Sequence, residues 1–239
     1  MSNPDKQFWA IIPAAGVGKR MGAERPKQYL SLAGKTIIEH SLNRLLAMPA
    51  ITGAVVALDR EDHYWDELHY QHAKPLLRVA GGSERSDSVL LALLALQQHL
   101  QQTPEKSTAT WVLVHDAARP CVRAEDVERL IQTASDADDG GLLAHPVRDT
   151  MKRQNPDHAV ATTIDRSGLW HALTPQMFPL TILIQALEQA QQQGQAITDD
   201  ASAMELAGYH PKLVEGREDN IKVTRPFDLV LAEHFLQLG

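Results

Sequence analysis

The chain has 239 residues, with 23 Lys plus Arg against 30 Asp plus Glu, for a net charge of −7. That length suits one domain, and the acidic balance argues against a protein that grips a long nucleic-acid backbone. The lone cysteine, Cys121, excludes an intrachain disulfide. The apolar runs Phe8–Pro13 and Val89–Leu96 fall far short of the roughly 20 residues a membrane span needs. The first residues, Met1–Asp5, lack the basic and apolar regions of a secretion signal. The expectation is a cytoplasmic protein with neither nucleic acid nor membrane as partner.

In chain order, strand-like apolar runs are expected at Phe8–Ile12, Ala54–Leu58, Leu76–Val79, Trp111–His115 and Gly141–Ala144. Helical patterns lie between them, at Thr36–Ala47, Ser88–Leu100 and Glu125–Ala134. Short apolar strands alternating with helices predict an α/β fold, with a mainly parallel sheet and helices on both faces. The rhythm breaks between Pro146 and Pro175. There Thr150–Arg153 and Val160–Asp165 flank a Gln154-Asn155-Pro156-Asp157 turn, which predicts a protruding β-arm. An isolated hairpin is marginal in water, so the arm should pack on something, such as a second subunit. Helices are expected at Leu180–Gln193, closed by Gly194, and at Ala201–Ala207, capped by Thr198 or Asp199. Tyr209–Val214 and Asn220–Val223 read as short strands, and a last helix, Phe227–Leu238, starts after Pro226.

The segment after the first strand is Pro13-Ala14-Ala15-Gly16-Val17-Gly18-Lys19-Arg20-Met21-Gly22. Small residues let backbone N–H groups approach a ligand, and ligands of open parallel sheets sit at the carboxyl ends of the strands. The glycine spacing misses the dinucleotide fingerprint, and Lys19 is followed by Arg20 rather than by Ser or Thr as in a Walker loop. On its own the turn is equally readable as a plain tight turn. Lys19, Arg20, Arg25 and Lys27 gather beside it, and phosphoryl chemistry needs such a concentration of positive charge. The strand Val112–Val114 runs into His115-Asp116-Ala117-Ala118-Arg119-Pro120, which delivers a carboxylate to the same edge. Asp116 there reads equally as a turn former.

Together with Pro26-Lys27-Gln28-Tyr29-Leu30, the first segment closely resembles the 2-C-methyl-D-erythritol 4-phosphate cytidylyltransferase family. The resemblance extends through Gly81-Gly82-Ser83-Glu84-Arg85-Ser86-Asp87-Ser88, the His115–Pro120 string and Pro146–Lys152. It continues through Asp165–Gln176 and ends at Asn220–Pro226. It implies a Rossmann-like, GT-A-like nucleotidyltransferase fold in one domain, with a dimerisation arm at about 147–170. The implied partners are CTP and a sugar-alcohol phosphate, with Mg²⁺ as cofactor, in a homodimer of the non-mevalonate isoprenoid route.

The resemblance also assigns residues. Arg20, Lys27, Arg166 and Lys222 become the catalytic cations. Ala14, Ala15, Gly16, Gly18, Lys19, Gly82, Ser83, Ser88, Asp116 and Ala117 line the CTP site. Arg119, Thr150, Thr174 and Thr198 serve the acceptor, and Arg166 reaches across from the other subunit. Asp116 stands near the ribose and the metal, which the phosphates mostly hold. His115 reads as structural. Three alternatives stay open on sequence: a ribitol 5-phosphate cytidylyltransferase, a pyrophosphorylase using another base, and a silent nucleotide-binding protein.

Overall fold

In the computed structural model, which describes residues 6–16, 25–102 and 109–238, the first strand, β1 (Lys6–Ala14), is buried along most of its length. Successive side chains of a strand point to opposite faces. Phe8, Ala10, Ile12 and Ala14 join one apolar cluster, and Trp9 and Ile11 join another. Such a strand requires a helical layer on each side.

The elements supplying those layers follow. A 3-10 turn at Lys27–Tyr29 and a small hairpin, β2 (Ser31–Leu32) and β3 (Lys35–Thr36), lead into α1 (Ile37–Leu46). Next come β4 (Ile51–Leu58), a short α2 (Tyr64–Glu67), β5 (Leu76–Ala80), α3 (Arg85–Gln102) and β6 (Ala109–Val114). They are followed by α4 (Ala124–Ala134), β7 (Gly141–Pro146), β8 (Met151–Gln154), β9 (Val160–Ile164) and β10 (Trp170–Pro179). The chain continues through α5 (Leu180–Gln192), α6 (Asp200–Leu206), β11 (Lys212–Glu215) and α7 (Pro226–Gln237).

The main sheet has the order β11-β7-β10-β6-β1-β4-β5. β1 runs parallel to β4 and β6, β5 parallel to β4, and β11 parallel to β7. β10 is antiparallel to both β6 and β7, so it joins the two parallel blocks. Helices α1 and α4 cover one face, and α3, α5 and α6 cover the other. The α/β layering matches expectation. β10 was not anticipated, because Pro175 and the polar Thr174 and Gln176 interrupt its pattern.

Local chemistry sets the boundaries. Thr36 and Glu39 form a reciprocal capping box at the start of α1, which buries Ile37, Ile38, Leu42, Leu45 and Leu46. Asp199, rather than Thr198, caps α6 by accepting from the Ser202 N–H at 3.0 Å. Gly194, at φ +63°, closes α5 in the left-handed conformation. Asn220–Val223 is a correction to the sequence reading. It forms no strand and is held instead by the Val223 N–H, which donates to the Ala118 carbonyl at 2.8 Å.

β8 and β9 pair only with each other, in a separate two-stranded sheet. Asn155 Oδ1 closes their turn by accepting from the N–H groups of Asp157 and Ala159. Nearly every residue of this arm is exposed, including Met151 and Val160. Among the described residues no helix is long and apolar enough to cross a membrane.

Candidate active site

β1, β5 and β6 end at the same edge of the sheet, and the loops leaving them enclose a cleft of about 310 Å³. Its lining comes from Pro13–Gly16 at and beyond the end of β1, Lys27 and Gln28 in the 3-10 turn, Gly82–Arg85 and Ser88 at the start of α3, Asp116–Ala118 after β6, and Lys222. Most of the expected site therefore converges. Gly18, Lys19 and Arg20 lie outside the described residues.

The small residues are there for closeness. A Cβ on Gly81 would stand 2.5 Å from the Ala15 Cβ and 2.8 Å from Ser88 Oγ, so only glycine lets the loops after β1 and β5 touch. The Gly82 N–H donates to Ser88 Oγ at 3.1 Å, and that hydroxyl donates to the Glu84 carbonyl at 3.1 Å. Ser83 lines the cleft, with its hydroxyl donating to Asp87 at 2.8 Å. Gln28 is buried and donates from Nε2 to the Ala14 carbonyl at 2.7 Å, which ties the lysine-bearing turn to the end of β1. Lys27 Nζ donates to the Val223 carbonyl at 3.1 Å, so it stands beside the stretch that carries Lys222.

The turn after β6 is stitched by its own side chains. The Asp116 N–H donates to Thr174 Oγ1 at 3.1 Å, and the threonine hydroxyl donates to His115 Nδ1 at 3.0 Å. His115 Nε2 donates to the Arg119 carbonyl at 3.0 Å. A carbonyl only accepts, so the imidazole proton sits on Nε2. Burial, only partly offset by those bonds and by Asp116, pushes the His115 pKa down to about 4, so the ring is neutral near pH 7. His115 is structural, as expected. Thr174, expected at the acceptor, lies buried beneath Asp116 with its hydroxyl engaged in this scaffold.

Asp116 faces three cations. Arg85 Nε donates to its Oδ1 at 3.0 Å, Lys222 Nζ reaches Oδ2 at 2.7 Å, and Arg119 Nε lies 3.7 Å from Oδ2. Burial alone would raise its pKa, but the cations outweigh burial and hold the carboxyl far below the usual carboxylate range. A metal bound directly to Asp116 would confront those same cations. No group of three or more His, Cys, Asp or Glu among the described residues could hold a metal ion. A Mg²⁺ ion at this cleft would therefore draw most of its ligands from substrate phosphates, with Asp116 as the buried carboxylate of the lining.

Arg119 is buried and donates from Nη1 to the Asn220 carbonyl at 2.7 Å, and Asn220 Nδ2 donates to the Thr174 carbonyl at 2.8 Å. Arg166 and Thr150 do not line the cleft. Both are exposed at the base of the arm, where the Arg166 guanidinium donates to the Arg148 carbonyl. Thr198 is exposed and lines a neighbouring cleft, which shares Arg85 as a wall. Two residues without a sequence assignment complete the site. Arg85 donates from Nη2 to Asp200 Oδ2 at 2.8 Å, and Asp200 is fully buried.

The family model for 2-C-methyl-D-erythritol 4-phosphate cytidylyltransferase matches residues 8–238. The chain belongs to that family. A cytidylyltransferase of this family from Vibrio vulnificus (strain YJ016) is 55% identical over 227 residues, 95% of this chain and 93% of the relative. One from Photobacterium profundum is 50% identical, with 97% of each chain covered. The crystal structure of the Francisella tularensis member superposes with a TM-score of 0.80 at 33% identity, covering 96% of this chain and 99% of that one. Family membership draws together the glycine and alanine loops, the cations and the GT-A-like sheet.

Proposed function

We propose that the protein transfers CMP from CTP to 2-C-methyl-D-erythritol 4-phosphate, forming 4-diphosphocytidyl-2-C-methyl-D-erythritol and pyrophosphate. The observation that carries this reading is the cleft at the carboxyl edge of the sheet. It combines tight backbone loops suited to a base with Lys27, Arg85 and Lys222 gathered within an acidic protein. An oxygen of the acceptor phosphate attacks the α-phosphorus of CTP, a new P–O bond forms, and the bond to the bridging oxygen breaks as pyrophosphate leaves. The acceptor oxygen is already ionised near pH 7, so the step asks for orientation and charge stabilisation rather than a protein nucleophile.

In this reading Ala14, Ala15, Gly16, Gly82 and Ser88 hold the nucleotide, and Arg20 and Lys27 stabilise charge at the α-phosphate. Lys222 turns from Asp116 to the acceptor phosphate, with Arg119 and Thr198 alongside. Mg²⁺ bound with the triphosphate, close to Asp116, would supply further charge neutralisation there. The exposed arm supports a homodimer in which Arg166 and Thr150 of one copy serve the acceptor of the other. The buried thiol of Cys121 and the use of CTP suit a cytoplasmic setting.

Pyrophosphate release tests the reading, with Mg²⁺, CTP and methylerythritol phosphate, and with ribitol 5-phosphate or UTP, ATP and GTP substituted in turn. Fast release from the first pair alone is expected. Release with ribitol phosphate instead would keep the chemistry and replace the acceptor. No release from any pair would overturn the proposal.

A further inference from the structure

Asp200 is a carboxylate without an assigned task. It is fully buried at the first turn of α6, and its Oδ1 has no hydrogen-bond partner. Its burial opposes ionisation, yet its Oδ2 accepts from Arg85 at 2.8 Å. The same guanidinium donates from Nε to Asp116 at 3.0 Å. One planar fork thus joins three segments: the start of α3, the turn after β6 and the start of α6. Arg85 is also a wall of both clefts, the one holding Lys27 and Lys222 and the one holding Thr198.

This arrangement answers a mechanical problem. Asp116 is the common partner of Lys222, Arg85 and Arg119. When Lys222 leaves for an acceptor phosphate, Asp116 loses its closest contact. Something else must keep that carboxylate in place beside Arg119, which the Asn220 carbonyl already holds. Arg85 can do so only if it is itself fixed, and Asp200 fixes it. The loop at Gly82–Ser88 does not depend on this tie, because Gly82, Ser88 and Glu84 are hydrogen-bonded among themselves.

We propose that Arg85, braced by buried Asp200, is a positioning residue that holds Asp116 and the acceptor-side cations in register while Lys222 engages the acceptor phosphate. The inference rests on the reading of the cleft given above. It is the two-sided fork that matters, since a lysine would keep the charge but could not bridge both carboxylates.

The test compares Arg85→Lys, Asp200→Ala and Asp200→Asn with the unaltered protein. The amide of Asn can still accept from Nη2. Arg85→Lys and Asp200→Ala should each raise the acceptor KM about tenfold, the effect of losing one charge-assisted hydrogen bond. The CTP KM should stay within about threefold, and Asp200→Asn should restore most of the acceptor affinity. Thermal melts and calorimetric titrations of CTP and methylerythritol phosphate accompany the kinetics. Unaltered protein that binds both ligands without turnover overturns the proposed activity and leaves the tie to be judged on affinities. Unaltered protein that binds neither overturns both. A near-normal acceptor KM in Arg85→Lys, or CTP and acceptor constants that worsen together in step with the melting temperature, overturns the positioning role.

Discussion

His115 should make the protein lose stability in mild acid, and the amount follows from the structure. An unfolded histidine titrates at 6.5, whereas the buried ring, already donating to Arg119 and accepting from Thr174, is held at about 4. A folded-state pKa below the unfolded one gives stability that is complete above pH 6.5 and is lost as pH falls toward 4. At 1.36 kcal/mol per unit the full contribution is about 3.4 kcal/mol, of which about 2 kcal/mol is lost between pH 7.5 and pH 5. Other groups, including His40, whose pKa burial also lowers, are common to the protein and its His115 variant, so the difference between the two reads His115 alone. Urea unfolding at pH 7.5 and pH 5, at fixed protein concentration, measures the loss in the unaltered protein and in His115→Gln. The variant should be weaker at pH 7.5 but lose about 2 kcal/mol less on acidification. An equal loss in the two proteins would refute the claim that His115 is buried and neutral.

Lys27→Ala should lower kcat by about 10²–10³-fold with little change in CTP affinity, read by pyrophosphate release and calorimetry. Gly81→Ala forces a Cβ against Ala15 and Ser88, so CTP affinity should fall and stability drop by about 1–3 kcal/mol in a melt. Asp199→Ala removes the cap of α6 and should cost about 1 kcal/mol in urea unfolding. Val160→Asp places a charge on the exposed arm and should shift the protein toward monomer in sedimentation, with turnover falling alongside.

The parallel block was legible because β1, β4 and β6 are unbroken apolar runs with helical patterns between them. β10 was not legible, since Thr174-Pro175 interrupts it and its burial comes from neighbours far along the chain. The loops after β1, β5 and β6 and the cation Lys222 were legible as motifs, and the structure brings them to one cleft. The Arg85–Asp200 pair could not be read from sequence. Asp200 sits next to an obvious capping residue, its partner lies 115 positions away, and no local period encodes so distant a contact. Asp116 and its neighbour Arg119 were legible at the sheet edge, but the engagement of Asp116 by Arg85 and Lys222 was not, because each of those comes from a distant stretch of chain.

The position of β10 has a consequence during synthesis on the ribosome. Residues 6–114 hold β1, β4, β5 and β6, four strands that can pair as soon as they emerge. One side of β6, with Trp111, Val112, Leu113 and Val114, then waits for residues 170–179 to supply its antiparallel neighbour. Until then the nascent chain carries an open, apolar sheet margin, the kind of surface to which other chains add. A fragment ending at Val114 would keep that margin permanently, and the return of β10 is what makes the finished chain safe from its own first half.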